Sequence, residues 1–134
     1  MDKIEEMLAN SKTIVVIGMK ENESEEAYKI PYYMKEHGYI IYPVNSTKTG
    51  KEVLDTTFYE SLLDIKDEID LVNVFRRPEF LVGHAKEILK MNPLPKYVWF
   101  QLGIYNDEAA RMLEAKGIKV IQNRCIMVEH ARLY

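Results

Sequence analysis

The sequence predicts an α/β domain: a parallel sheet of five strands, or slightly more, covered by helices on both faces. Two observations carry this. Five short apolar runs, rich in β-branched and aromatic residues, alternate with longer segments of helical periodicity, the pattern that builds a parallel sheet between helix layers. The runs are also apolar along most of their length, as expected of strands covered on both sides. A weaker internal echo agrees, since HGYIIYPVN (37–45) and KGIKVIQN (116–123) both read as helix end, glycine, strand and asparagine.

The elements follow in order. Thr13 to Ile17 (TIVVI) is the first strand, closed by Gly18. Residues 22–27 read as a loop, and a helix runs from near Tyr28 to Gly38, because Pro31 is tolerated only in a first turn. Tyr39 to Val44 is the second strand. Residues 48–65 are the least regular stretch, a crossover with a short strand near Val53 and a short helix over 61–65. Leu71 to Phe75 is the third strand. After it, Pro78 opens a helix in which Leu81, Ala85, Ile88 and Leu89 share a face. Tyr97 to Phe100 is the fourth strand. Asn106 then caps a helix over about residues 106–116, with Asp107 and Glu108 at its positive end and Gly117 at its left-handed exit. Ile118 to Ile121 is the fifth strand, and the expected strand order is 3-2-1-4-5.

With 134 residues the chain is expected to form one domain over 1–134. Its 18 basic and 21 acidic residues give a net charge of -3, which supplies no global field for nucleic acid. The apolar runs are strand-sized, too short to cross a membrane, and the acidic MDKIEEMLANSK is no signal peptide. The single cysteine, Cys125, cannot close an internal disulfide, so the cytoplasm is the expected compartment.

Ligands of open parallel sheets bind beyond the carboxyl ends of the strands. With the expected order, the first and fourth strands flank the crevice, and residues 18–20, 43–48, 75–78 and 101–103 share its rim. A dinucleotide site fits poorly: the first loop, GMKENE, has one glycine, and the second strand ends in YPVN with no acidic residue. The cations Arg76, Arg77, Lys48 and Lys51 point instead to a phosphorylated ligand.

VIGM (16–19), YPVN (42–45), GKEVL (50–54), VFRRPE (74–79), WFQLGIYNDEAA (99–110) and NRCIMVEHARL (123–133) together resemble the small stand-alone CoA-binding proteins of bacteria. These are similar to the CoA-binding domain of the succinyl-CoA synthetase α-subunit. The resemblance spans nearly the whole chain and implies a Rossmann-like three-layer domain that binds coenzyme A or acyl-CoA through its 3'-phospho-ADP moiety. It implies that Gly18, Met19 and Lys20 form the phosphate-facing turn and that Pro43, Asn45 and Lys48 approach the ribose and 3'-phosphate. It further implies that Phe75, Arg76, Arg77 and Pro78 border the adenine or phosphates, and that Gln101, Leu102 and Gly103 form the fourth-strand end. The chain departs from the pattern at Lys20, where relatives commonly have serine, and in the acidic loop with Glu21, Glu23, Glu25 and Glu26, read as solvated.

No catalytic constellation is expected. Cys125 and His130 are five residues apart and would diverge on a helix, so Glu129 or His130 is expected to bond a neighbouring strand end or Arg124. A mixed disulfide between Cys125 and the CoA thiol stays open. His37 and His84 read as surface or dipole-complementing residues, no metal is expected, and Tyr28 and Tyr32 read as core. The related synthetases use a phosphohistidine from another domain, so binding without catalysis is the expectation. An NAD(P)-dependent oxidoreductase and an interaction domain with a vestigial crevice are the alternatives. A homo-oligomer or protein partner stays open.

Overall fold

The structure, a computed structural model, describes residues 2–134. The chain begins with a helix that periodicity did not reveal, α1 (Lys3–Ala9), capped by the Asp2 carboxylate on Glu5 N–H at 2.8 Å. Next come β1 (Thr13–Ile17), α2 (Glu26–Glu36), β2 (Ile40–Val44), a tiny antiparallel pair β3 (Glu52–Val53) and β4 (Thr56–Thr57), a 3-10 turn over Leu62–Asp64, and β5 (Leu71–Val74). A second 3-10 turn at Pro78–Phe80 leads into α3 (Leu81–Ile88), followed by β6 (Tyr97–Phe100), α4 (Asp107–Glu114), β7 (Lys119–Ile121) and α5 (Ile126–Leu133). Asn106 caps α4 through Ala109 N–H at 3.0 Å, and Gly117 takes a φ of 87°, as the sequence predicts.

The five-stranded sheet is parallel, in the order β2-β1-β5-β6-β7. Counted along the main strands this is 2-1-3-4-5, which corrects the expected 3-2-1-4-5. The reason lies in two residues' worth of chemistry. Pro43 has no N–H to give a second neighbour, so β2 belongs at an edge, and its Ile40 is 54 % exposed. All four residues of β5 are buried, which only a central position provides.

Alternate strand residues face opposite layers. Val15, Ile17, Val72, Val74, Val98 and Phe100 pack under α3 and α4 with Leu81, Ala85, Ile88 and Leu113. Ile14, Val16, Leu71 and Trp99 pack under α1, α2 and α5 with Met7, Met34 and Ile126. Trp99 is fully buried, and its indole N–H donates to the Arg124 carbonyl at 2.8 Å.

Helix α2 starts two residues earlier than expected and carries Pro31 in its sixth position. A proline there cannot donate to the carbonyl four residues back. That carbonyl, of Ala27, accepts instead from Lys20 N–H at 3.2 Å. The helix interruption thus ties the first loop down. Tyr32 is 44 % exposed, against the expectation that it joins the core, whereas Tyr28 packs partly against it.

Candidate functional site

In the observed order the sheet reverses between β1 and β5, so the crevice lies there and not between the first and fourth main strands. Its floor is tightly built. Gly18 N–H donates to Val44 O at 2.9 Å and Phe75 N–H to Ile17 O at 2.8 Å, stitching three strand ends together. Gly18 has a φ of +83°, and a Cβ on it would stand 2.3 Å from the Phe75 carbonyl oxygen. Only glycine lets the first loop pass this close to β5.

Arg76 rises from this floor. Its guanidinium lies 4.6 Å from the centre of the Phe80 ring, a cation–π contact, and its Nε is buried with no hydrogen-bond partner. On one side Arg76 borders a hollow of about 190 Å³ with Gly18, Asn45, Ser46, His84 and Glu87. On the other it borders a wide crevice of about 400 Å³ that includes Ala27, Arg77, Pro78 and Gly103. That crevice shares Glu26, Phe75 and Ile104 with a neighbouring apolar slot of about 270 Å³, which adds Ile30, Gln101, Leu102 and Cys125. A separate hollow of about 140 Å³, near Leu62, Asp67 and Met91, involves none of these residues.

The structure therefore brings Gly18, Asn45, Phe75, Arg76, Arg77, Pro78, Gln101, Leu102 and Gly103 to one end of the sheet. Others among the predicted site residues sit differently. Met19 is fully buried and Pro43 lies inside β2, so neither side chain faces the crevice. Asn45 braces the loops, donating to Met19 O at 2.9 Å and accepting from Thr47. Lys48 and Lys51 both pair with Glu21, at 3.0 and 3.5 Å, and the Lys48 bond holds the Glu21 carboxyl below its ordinary range. Lys20 is exposed. The Gly18 and Lys20 N–H groups are already paired, which leaves that of Met19 between them.

Sequence reasoning missed His84 and Glu87. They lie on α3 beside the core-facing Leu81, Ala85 and Ile88, and so reach the rim next to Arg76. The His84 imidazole, 3.8 Å away, holds the Glu87 carboxyl below its usual range with help from Ser61, against the opposing effect of burial. The i, i+3 spacing after Pro78 was a usable signal. His37 is the exposed C-cap of α2, with Nδ1 2.8 Å from Tyr33 O.

The C-terminal trio does not converge. Cys125 is the N-cap of α5 and faces the apolar slot. His130 Nδ1 is instead held by the Tyr33 hydroxyl at 2.9 Å, and Glu129 pairs with Arg132. These partners replace the expected strand end or Arg124. No helix among the described residues is long and apolar enough to cross a membrane.

Residues 12–131 match the family model of the CoA binding domain. The chain belongs to the CoA binding domain family. An uncharacterized protein, YneT, of Bacillus subtilis is 41 % identical over 129 residues, covering 96 % of this chain and 93 % of that one. The structure of cell-free ID.343 from Thermus thermophilus superposes with a TM-score of 0.94 at 38 % identity, covering 100 % of both chains. An ADP-forming acetate–CoA ligase II of Archaeoglobus fulgidus is 34 % identical over 62 residues, or 45 % of this chain and 9 % of the ligase.

Proposed function

We propose that this protein binds coenzyme A or acyl-CoA through the 3'-phospho-ADP moiety without catalysing its turnover. The observation that carries the reading is Arg76: a guanidinium with a buried, unpartnered Nε at the switch point of a CoA-binding-family fold. An unpaired buried donor is costly, and phosphate oxygens would satisfy it with charge-assisted bonds. The exposed Arg77 stands beside it for a second phosphate. The first residues of α2, Glu26 and Ala27, line the same crevice, and the Glu25 cap makes no side-chain bond there, so the helix start could also meet a phosphate. The pantetheine arm then runs past Phe75 and Ile104 into the apolar slot. Cys125, Glu129 and His130 have separate partners and surroundings, which supports binding in place of catalysis. The lone unpaired cysteine supports a cytoplasmic setting.

Calorimetric titration with CoA, 3'-dephospho-CoA and NAD tests this. Heat is expected for CoA, less for dephospho-CoA and none for NAD, with Arg76→Ala weakening CoA roughly tenfold to hundredfold, as loss of a charged hydrogen bond does. Absence of heat with millimolar CoA would sink the proposal. Unchanged affinity in both Arg76→Ala and Arg77→Ala would show the phosphates lie elsewhere.

A further inference from the structure

Cys125, the sequence's single cysteine, is unpaired, 9 % exposed, and lines the apolar slot. Beside it stands Gln101, which is 4 % exposed. The Gln101 Oε1 accepts from Asn73 Nδ2 at 3.3 Å and from Ile126 N–H at 3.3 Å. Those two donors fix which end of the amide is oxygen. The other end, Nε2, is buried and donates to nothing. Buried polar groups in folded chains are almost always paired, so an unpaired amide N–H on a residue that lines a cleft points to an acceptor that a ligand brings. The Ile126 bond also ties this amide to the residue next to Cys125. A sulfur and an unmet donor thus meet in one slot, which is otherwise lined mostly by Ile30, Phe75, Leu102 and Ile104.

The slot adjoins the wide crevice through Glu26, Phe75 and Ile104, and Arg76 and Arg77 lie in that crevice. A ligand anchored there by phosphates can send an arm into the slot. The arm that fits carries an amide carbonyl for Gln101 Nε2 and ends in sulfur near Cys125. The pantetheine arm has both.

We propose that Cys125 is a thiol–disulfide exchange site for CoA disulfides. This rests on the CoA reading above. In the step, Cys125 loses its proton to water and its sulfur attacks the CoA sulfur seated in the slot. A Cys125–CoA disulfide bond forms as the bond of the incoming disulfide breaks, and the departing thiolate carries off the electron pair and takes a proton from water. Cys125 is oxidised to the disulfide level and the CoA disulfide, which is the oxidant, is reduced. A free thiol reverses the step. The product is a chain with CoA covalently stored in its own crevice.

The reduced protein is incubated with CoA disulfide or with oxidised glutathione at equal concentration, and intact mass is followed in time. The expected result is a gain of one CoA less two hydrogens, arising about tenfold or more faster than the glutathione adduct, because phosphate anchoring raises the local disulfide concentration. Excess 3',5'-ADP should slow it, and a reducing agent should remove it. Calorimetry with CoA is run on the same sample. CoA heat with no CoA adduct, or equal rates from the two disulfides, overturns the exchange site and leaves CoA binding standing. Neither heat nor adduct overturns both.

Discussion

Gly18→Ala puts the site's architecture to a quantitative test. The substitution forces alanine to a φ of +83° and places its Cβ 2.3 Å from the Phe75 carbonyl oxygen. The positive φ alone costs about 1–2 kcal/mol. The collision adds to it, since the carbonyl belongs to a backbone held by the Phe75 N–H bond to Ile17 O at 2.8 Å, with the Arg76 Cδ also 3.2 Å from the new Cβ. Forced overpacking of this kind costs about 1–3 kcal/mol, for a sum of roughly 2–5 kcal/mol. Gly103→Ala is the control, because Gly103 has the same φ of +83° and nothing within 4 Å of a new Cβ. It should lose only about 1–2 kcal/mol. At about 4 °C per kcal/mol for a chain of this size, calorimetric melting should fall by roughly 8–20 °C for Gly18→Ala and 4–8 °C for Gly103→Ala. Equal losses in the two variants would mean that no close approach exists at Gly18, and the placement of Arg76 against the first loop would fall with it.

Three further outcomes follow from the polar contacts. Asp70 Oδ2 accepts from Lys12 and Thr13 N–H at 2.7 and 3.2 Å; burial pushes its pKa up, but these bonds and Lys96 outweigh it and hold it below 3.8. A depressed carboxylate stabilises above its unfolded pKa and loses that effect as pH falls through the folded one, so Asp70→Asn should cost about 1.5–3 kcal/mol at neutral pH. In urea unfolding the gap should close in acid below 3.8; a gap independent of pH contradicts the assignment. Burial, and then His37, holds the His130 pKa below 6.5, so the unfolded chain binds more protons below 6.5 and stability declines there as pH drops. His130→Gln should flatten the slope of unfolding free energy between about pH 7 and 5, above the range where Asp70 and Glu87 titrate, and an unaltered slope refutes the reasoning. Lys48→Ala should leave the urea unfolding midpoint nearly unchanged, as the pair with Glu21 is solvent-screened, yet reduce the preference for CoA over dephospho-CoA; an unchanged preference confines Lys48 to holding Glu21.

The five main strands could be located from sequence because each is a dense β-branched or aromatic run, and the caps at Asn106 and Gly117 marked α4 without ambiguity. Strand order was harder, since both doubly wound orders use the same run of strands and helices. The deciding clue was present in Pro43, whose missing N–H bars β2 from a central place, but it is a statement about neighbours and has no meaning until pairings are considered. Helix α1 escaped because seven residues span two turns, too few for a period to register, and because its stability comes from Met7 and Leu8 packing under the sheet. The start of α2 was misplaced for a tertiary reason too: Pro31 is tolerated deep in the helix only because Lys20, from another loop, takes up the Ala27 carbonyl.

The candidate site was legible as a rim and not as an electrostatic arrangement. Charge counts suggested four cations facing a phosphate, but Glu21 occupies two of them, Lys48 and Lys51, and Glu79 lies 4.0 Å from Arg77. Exposed pairs of this kind are weak and screened by salt, so they can be exchanged for phosphate at little gain. Arg76 differs, because its Nε is already out of water and unmet, and a bond made there replaces no solvent contact. Binding strength in this crevice should therefore concentrate in Arg76, the arginine whose Nε is already desolvated. A single arginine cannot by itself tell CoA from any other phosphate. Selectivity must then come from what lies beyond it, the apolar slot with the unmet Gln101 amide and the Cys125 sulfur, which only a ligand with a long amide-bearing arm can reach from the Arg76 anchor.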